Sequence, residues 1–83
     1  MTKSVFTGKY EQFRLLLVAA RKKGRISQAQ LADKLSRPQS FVSKYERGER
    51  RLDVIEFEQV ANALEIEPIR FLKKLYDRKG GTR

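Results

Sequence analysis

An all-α chain of five helices is what the sequence predicts, and three observations carry it. Apolar residues recur at three- and four-residue steps in successive stretches, Ser-x-x-Gln and Asp-x-x-Glu patterns mark two helix starts, and Gly and Pro punctuate the gaps. No stretch shows the two-residue alternation of a half-buried strand.

The elements follow in order. Tyr10, Phe13, Leu16, Leu17 and Ala20 share one face of a helix from about Gly8 to Lys23, which Gly24 ends and whose last turn carries Arg21, Lys22 and Lys23 where cations meet the negative dipole end. Ser27 and Gln30 then form a capping box, with Ile26 and Leu31 as the hydrophobic staple, so a second helix starts at Gln28 and runs to about Leu35. Pro38 disfavours helical geometry at Arg37 but suits the first turn of a new helix, about Gln39 to Arg47, which buries Phe41, Val42 and Tyr45 and stops at Gly48. Asp53 with Glu56, and Leu52 with Phe57, repeat the box and the staple ahead of a fourth helix, whose face is Phe57, Val60, Ala61 and Leu64. Glu65 to Pro68 breaks it, and a fifth helix runs from Ile69 to about Tyr76. Met1 to Phe6 and Lys79 to Arg83 lack periodic apolar residues and are expected to fray.

With 83 residues the chain is expected to form a single domain with one modest core, ordered over about residues 8–76. Cys and His are both absent, which excludes thiol chemistry, zinc fingers and His-based acid–base catalysis, and there is no Gly-rich phosphate loop. Neither an enzyme nor a bound metal or cofactor is expected. The longest apolar run, Leu15 to Ala20, is too short for a bilayer, and the amino terminus lacks a signal-peptide pattern, so a cytoplasmic location is expected and a membrane partner is not.

Lys and Arg outnumber Asp and Glu by 19 to 10, which favours a polyanionic partner. The charge is also segregated. Residues 21–51 carry ten bases and three acids, residues 52–67 carry five acids and no base, and residues 68–83 carry six bases and one acid. A basic face and an acidic face follow.

Two short helices around a tight turn could be any helical hairpin; their residue types narrow the choice. Ala32 is small where the third helix must cross the second closely, while Leu31, Leu35, Val42 and Tyr45 occupy core-facing positions. The outward positions of the third helix are Gln39, Ser40, Ser43 and Lys44. Gln can donate to and accept from adenine at once, Lys can reach the acceptors of guanine, and Ser suits several bases, so this face can read base edges in a major groove.

The stretch from about Leu17 to Leu72 resembles the phage-repressor and Cro-like (XRE-type) helix-turn-helix family, through Ser27-Gln28-x-x-Leu31-Ala32 and Gln39-Ser40-x-Val42-Ser43-Lys44-Tyr45-Glu46-Arg47-Gly48. The resemblance implies a compact, lambda-repressor-like domain of five helices that binds double-stranded DNA as a transcriptional regulator. It implies that Gln28 anchors a phosphate and braces Gln39, that Gln39, Ser40 and Lys44 face bases, and that Arg21 and Glu46 form a structural ion pair. A phosphate beside Gln28 also has a physical reason in the free amides and dipole of a helix start. Backbone amides and bases of the loop from Arg47 to Arg51 would hold neighbouring phosphates, with solvated surface arginines as the alternative for Arg50 and Arg51. Two departures stand out: Ser36 and Arg37 occupy the turn where Gly and an apolar residue are common, and Pro38 replaces a Ser or Thr cap. Arg37 is expected to point outward to a phosphate.

One recognition helix reads few base pairs, so a homodimer on a two-fold-related operator is expected. Its surface would be the fifth helix, where Ile69, Phe71, Leu72, Leu75 and Tyr76 exceed what one core-facing side needs, or the adjoining end of the fourth; the alternative is that all five pack inward and the copies pair only through DNA. A protein-interaction module is the rival reading, with the acidic fourth helix as its surface. A phage-type or restriction-controller-like repressor, an antitoxin and a compact bacterial regulator remain open as roles.

Overall fold

A computed structural model describes the backbone of residues 2–80 and the side chains of residues 8–77. Its helices are α1 (Thr2–Lys23), α2 (Gln28–Leu35), α3 (Gln39–Glu46), α4 (Val54–Ala63) and α5 (Pro68–Gly80), with no strand among the described residues. The three inner helices begin within a residue or so of their expected starts: Ser27 and Asp53 each accept from the backbone amide three residues on and have that residue's side chain bonded back, whereas Pro38 precedes α3 as an extended residue without a side-chain cap, just outside the first turn expected for it. The outer helices are longer than expected. α1 begins at Thr2 and passes through Gly8, since one glycine costs a helix only about 1 kcal/mol and does not stop it. α5 takes Pro68 into its first turn, where the missing amide is no loss, and continues to Gly80. Of the tails expected to fray, Met1 and residues 81–83 lie outside the described residues.

Four of the connections reverse the chain in one way. After α1, the amide of Ile26 donates to the carbonyl of Arg21 and that of Arg25 to Lys22; the same paired bonds join Arg37 to Ala32 and Ser36 to Asp33, Glu49 to Lys44 and Gly48 to Tyr45, and Ile66 to Ala61 and Glu65 to Asn62. This is the Schellman arrangement, which satisfies the last carbonyls of a helix and requires a left-handed residue at its centre. Gly48 holds that place after α3 with φ 83°, but the others are Arg25, Ser36 and Glu65, with φ near 60°. The left-handed residue after α1 is thus Arg25, one place beyond the glycine expected to end the helix.

Packing follows the apolar stripes. α2 lies against α3 and α4, α1 against α3 and α5, and α4 against α5. Leu17, Leu31, Val42, Val60 and Ala61 are fully buried at the centre, and Ala32 is nearly so, allowing α2 and α3 to approach. Phe13 of α1 meets Phe57 of α4 and Phe71 of α5 with ring centres 5.3 and 6.0 Å away, and Phe57 and Phe71 lie 5.4 Å apart. Phe57 and Phe71 are buried and each stabilises the fold by about 1.5–3 kcal/mol, while Phe13 is half-buried; together the three rings fix the end helices around the α2–α3 pair.

A left-handed L-residue costs about 1–2 kcal/mol, part of which is returned because glycine has more unfolded-state entropy to lose. Arg25→Gly and Glu65→Gly are each expected to raise unfolding free energy by about 0.5–1 kcal/mol in urea titration. A loss of stability in both would contradict the strain assigned to these turns.

Candidate nucleic-acid interface

The pair expected to brace the chain lies beneath α3. Arg21 is 9% exposed and Glu46 7%; the guanidinium donates from Nε to Glu46 Oε2 at 2.7 Å and from Nη2 to Oε1 at 3.1 Å, forming a two-point fork. Its remaining nitrogen, Nη1, donates to the carbonyl of Ile26 at 2.8 Å, in the connection to α2. Such a buried pair is tolerable only when its donors and acceptors are matched, and here they are. Tyr45 stands beside it, 1% exposed, and burial followed by the charge of Glu46 pushes its phenol upward, so it stays neutral.

From this pair a chain of hydrogen bonds leads to the surface. Gln28, half-buried in the first turn of α2, donates from Nε2 to Glu46 Oε1 at 2.8 Å. Gln39, exposed in the first turn of α3, donates to Gln28 Oε1 at a long 3.5 Å. The two glutamines therefore stand side by side at the amino ends of α2 and α3, and the outermost one is held loosely. Ser40 and Lys44 share the open face with Gln39. Ser43 is half-buried, and its hydroxyl donates to the carbonyl of Ser40 at 3.3 Å, which leaves only its acceptor side for a base.

The cations expected to reach phosphates are not equally available. Arg47 is forked to Glu49 at 2.9 and 3.1 Å on an exposed surface; that hydrogen-bonded pairing raises the Arg47 pKa and lowers that of Glu49. Arg37 does not point freely outward: Nη2 lies 3.5 Å from Glu56 Oε2, and the guanidinium covers the ring of Phe41 at 4.3 Å. Arg50 is bound more tightly, with Nη1 and Nη2 donating to Glu56 at 2.9 and 2.8 Å and the guanidinium 4.8 Å from the same ring. Arg51 is exposed and lies over Tyr10 at 4.3 Å.

Two contributors escaped the sequence reading. Arg14 donates to the carbonyl of Glu46 at the end of α3 and is itself held by Glu11. Arg14 and Arg21 are seven residues apart, two turns on one face of α1, and that spacing was the available signal. Tyr10 accepts from the amide of Leu52 at 3.1 Å while its ring supports Arg51, so it positions the loop as well as filling space.

The fifth helix divides its apolar residues. Leu75, expected on a dimer surface, is 4% exposed and belongs to the monomer interior, as does Phe71 at 6%. The reason is helical spacing: positions 71 and 75 are one turn apart on the inward side. Ile69 and Tyr76 remain outside, 70% and 59% exposed, and Leu72 is half-buried between the two groups. Exposed Val54 joins Leu72 and Tyr76 along one open groove.

Among the described residues no helix is long and apolar enough to cross a membrane, and no three carboxylates converge as metal ligands would. A helix-turn-helix family model matches residues 17–71. A solved structure described as an XRE-family like protein from Pseudomonas syringae pv. tomato str. DC3000 is 44% identical, covers 93% of this chain and 94% of its own, and superposes with a TM-score of 0.87. Among curated proteins, none matches.

Removing one member of a buried ion pair leaves the other charged and unpaired, at a cost of about 3–5 kcal/mol. Arg21→Met is therefore expected to lower unfolding free energy by about 3 kcal/mol, much of it recovered when Glu46→Leu is added. Additive losses in the two variants would show that the pair is not coupled.

Proposed function

The chain belongs to the XRE-type helix-turn-helix family of DNA-binding regulators, and on that premise we propose a sequence-specific repressor that acts as one domain and binds a two-fold-related operator as a homodimer. The carrying observation is the exposed polar face of α3 with Gln39 resting against Gln28. Gln39, Ser40 and Lys44 read base edges in the major groove, with Ser43 contributing as an acceptor. Gln28 holds a phosphate at the start of α2, where free amides and the helix dipole favour an anion. Arg51, with Arg47 and Arg50 after α3 and Arg37 before it, supplies the charge that neutralises the backbone.

Repression follows from occupancy. A small protein seated on an operator that overlaps a promoter blocks transcription with nothing beyond its affinity for DNA. One recognition helix discriminates too few base pairs for a genome, so two copies on half-sites about 34 Å apart are required. The apolar surface of exposed Ile69, Tyr76 and Val54, with half-buried Leu72 between them, is the contact between the copies, since apolar patches of this kind are more often covered than left in water.

Duplexes selected from a random pool are expected to share a palindrome. On the selected sequence Gln39→Ala is expected to cost roughly 1–3 kcal/mol of binding, with random-duplex binding nearly unchanged, because a base contact is lost and no charge is. Tyr76→Glu is expected to keep the monomer folded, shift sedimentation from dimer to monomer and weaken palindrome binding. Equal losses on both duplexes would contradict base reading, and a wild type that stays monomeric on and off DNA would contradict the dimer.

A further inference from the structure

Phe41 lies in the first turn of α3, and the two guanidinium groups over its ring come from opposite ends of that helix. Arg37 belongs to the turn that precedes α3, and Arg50 to the loop that follows Gly48. Both meet one carboxylate, that of Glu56 in the first turn of α4. The Glu56 side chain is only 12% exposed, against 37% and 39% for the arginines. The same carboxylate accepts the Asp53 amide at 3.0 Å, and the Glu56 amide donates to Asp53 at 2.7 Å, so Glu56 is fixed to the rigid start of its helix.

We propose that Glu56 is a positioning residue for DNA binding: it gathers Arg37 and Arg50 from the two flanks of α3 onto Phe41 and sets where their guanidinium groups meet the DNA backbone. This rests on the DNA-binding reading above. A guanidinium on a free side chain loses rotamer entropy when it takes a phosphate, whereas one already forked to a carboxylate and stacked on an aromatic ring has lost it beforehand. Both groups keep donors outside the contact: Arg37 meets Glu56 through Nη2 alone, and Nε of Arg50 takes no part in its fork, while Nη1 also donates to the Arg51 carbonyl. The carboxylate stays charged throughout the ordinary pH range, because the hydrogen bonds from Arg50 and from the Asp53 amide hold its pKa down to about 2.

Simple charge counting gives the opposite expectation. Glu56 is a negative charge on the basic flank, and its removal should strengthen attraction to DNA and steepen the salt dependence. Glu56→Gln separates the two effects, since glutamine keeps an oxygen for the capping box of α4 and removes the charge together with the second acceptor, Oε2, that Arg37 and Arg50 share.

The test measures duplex affinity by fluorescence anisotropy across a salt series, below the melting temperature of each variant. Glu56→Gln is expected to bind the selected and the random duplex about three- to tenfold more weakly, despite its extra net positive charge. With Arg37→Met and Arg50→Met already present, adding Glu56→Gln is expected to cause no further loss, which a purely structural role would not produce. Arg50→Lys, which keeps the charge and gives up the fork and the stacking, is expected to fall in the same range and serves as the second variant if Glu56→Gln melts too early. Unchanged or tighter binding by Glu56→Gln, or wild-type binding by Arg50→Lys, would overturn the positioning role alone. A wild type with no salt-dependent duplex binding would overturn the DNA reading and the positioning role with it.

Discussion

The buried contact between Arg21 and Glu46 is the constraint on which the remaining geometry depends. Taking two charges out of water is unfavourable, and they are kept there only where the fork is complete and spare donors and acceptors find partners. Arg21 meets that condition by spending its third nitrogen on the Ile26 carbonyl, and Glu46 by accepting from Gln28 as well. One ion pair therefore specifies four things together: the end of α1, the path into α2, the first turn of α2 and the last turn of α3. Arg14 adds a second grip from α1 on the Glu46 carbonyl. The helix that carries the proposed reading face is thus held by polar contacts at its last residue, Glu46, and by Phe41, Val42 and Tyr45 in the core.

A second economy of charge appears on the outer flank. Each of the loop cations near α3 except Arg51 lies against a carboxylate, Arg47 on Glu49 and Arg37 and Arg50 on Glu56. The exposed pair of Arg47 and Glu49 adds little to stability, because solvent screens it. Such pairs do more for geometry: they keep long side chains in one place on a surface where each would otherwise sample many rotamers. The strongly basic composition therefore overstates the number of cations free to meet a polyanion.

Most of the architecture was legible because it is written in local signals. Ser27 with Gln30 and Asp53 with Glu56 announced two helix starts through bonds spanning three residues, and the four-residue recurrence of Phe57, Val60, Ala61 and Leu64 announced a buried face. What stayed hidden depends on tertiary distance or on weak local preference. Nothing near Glu56 in sequence distinguishes a capping residue from one that also gathers Arg37 and Arg50. The extent of α1 before Gly8 and of α5 beyond Tyr76 carries no apolar periodicity. Leu75 and Tyr76 look alike as apolar neighbours, yet helical geometry sends one inward and the other to solvent. Ser36 in a left-handed turn shows a third limit, since the Schellman bonds after α2 impose a conformation that the residue itself disfavours.

Gln28 links the buried pair to the proposed reading face, and the ratio of selected-duplex to random-duplex affinity is the direct measure of that link, because backbone contacts common to both duplexes cancel in it. Measured in a double-mutant cycle, Gln28→Ala is expected to lower the ratio when Gln39 is present and to leave it unchanged when Gln39→Ala has already removed the group that Gln28 positions. An equal fall in both backgrounds would contradict the claim that the core ion pair orients base recognition through the two glutamines.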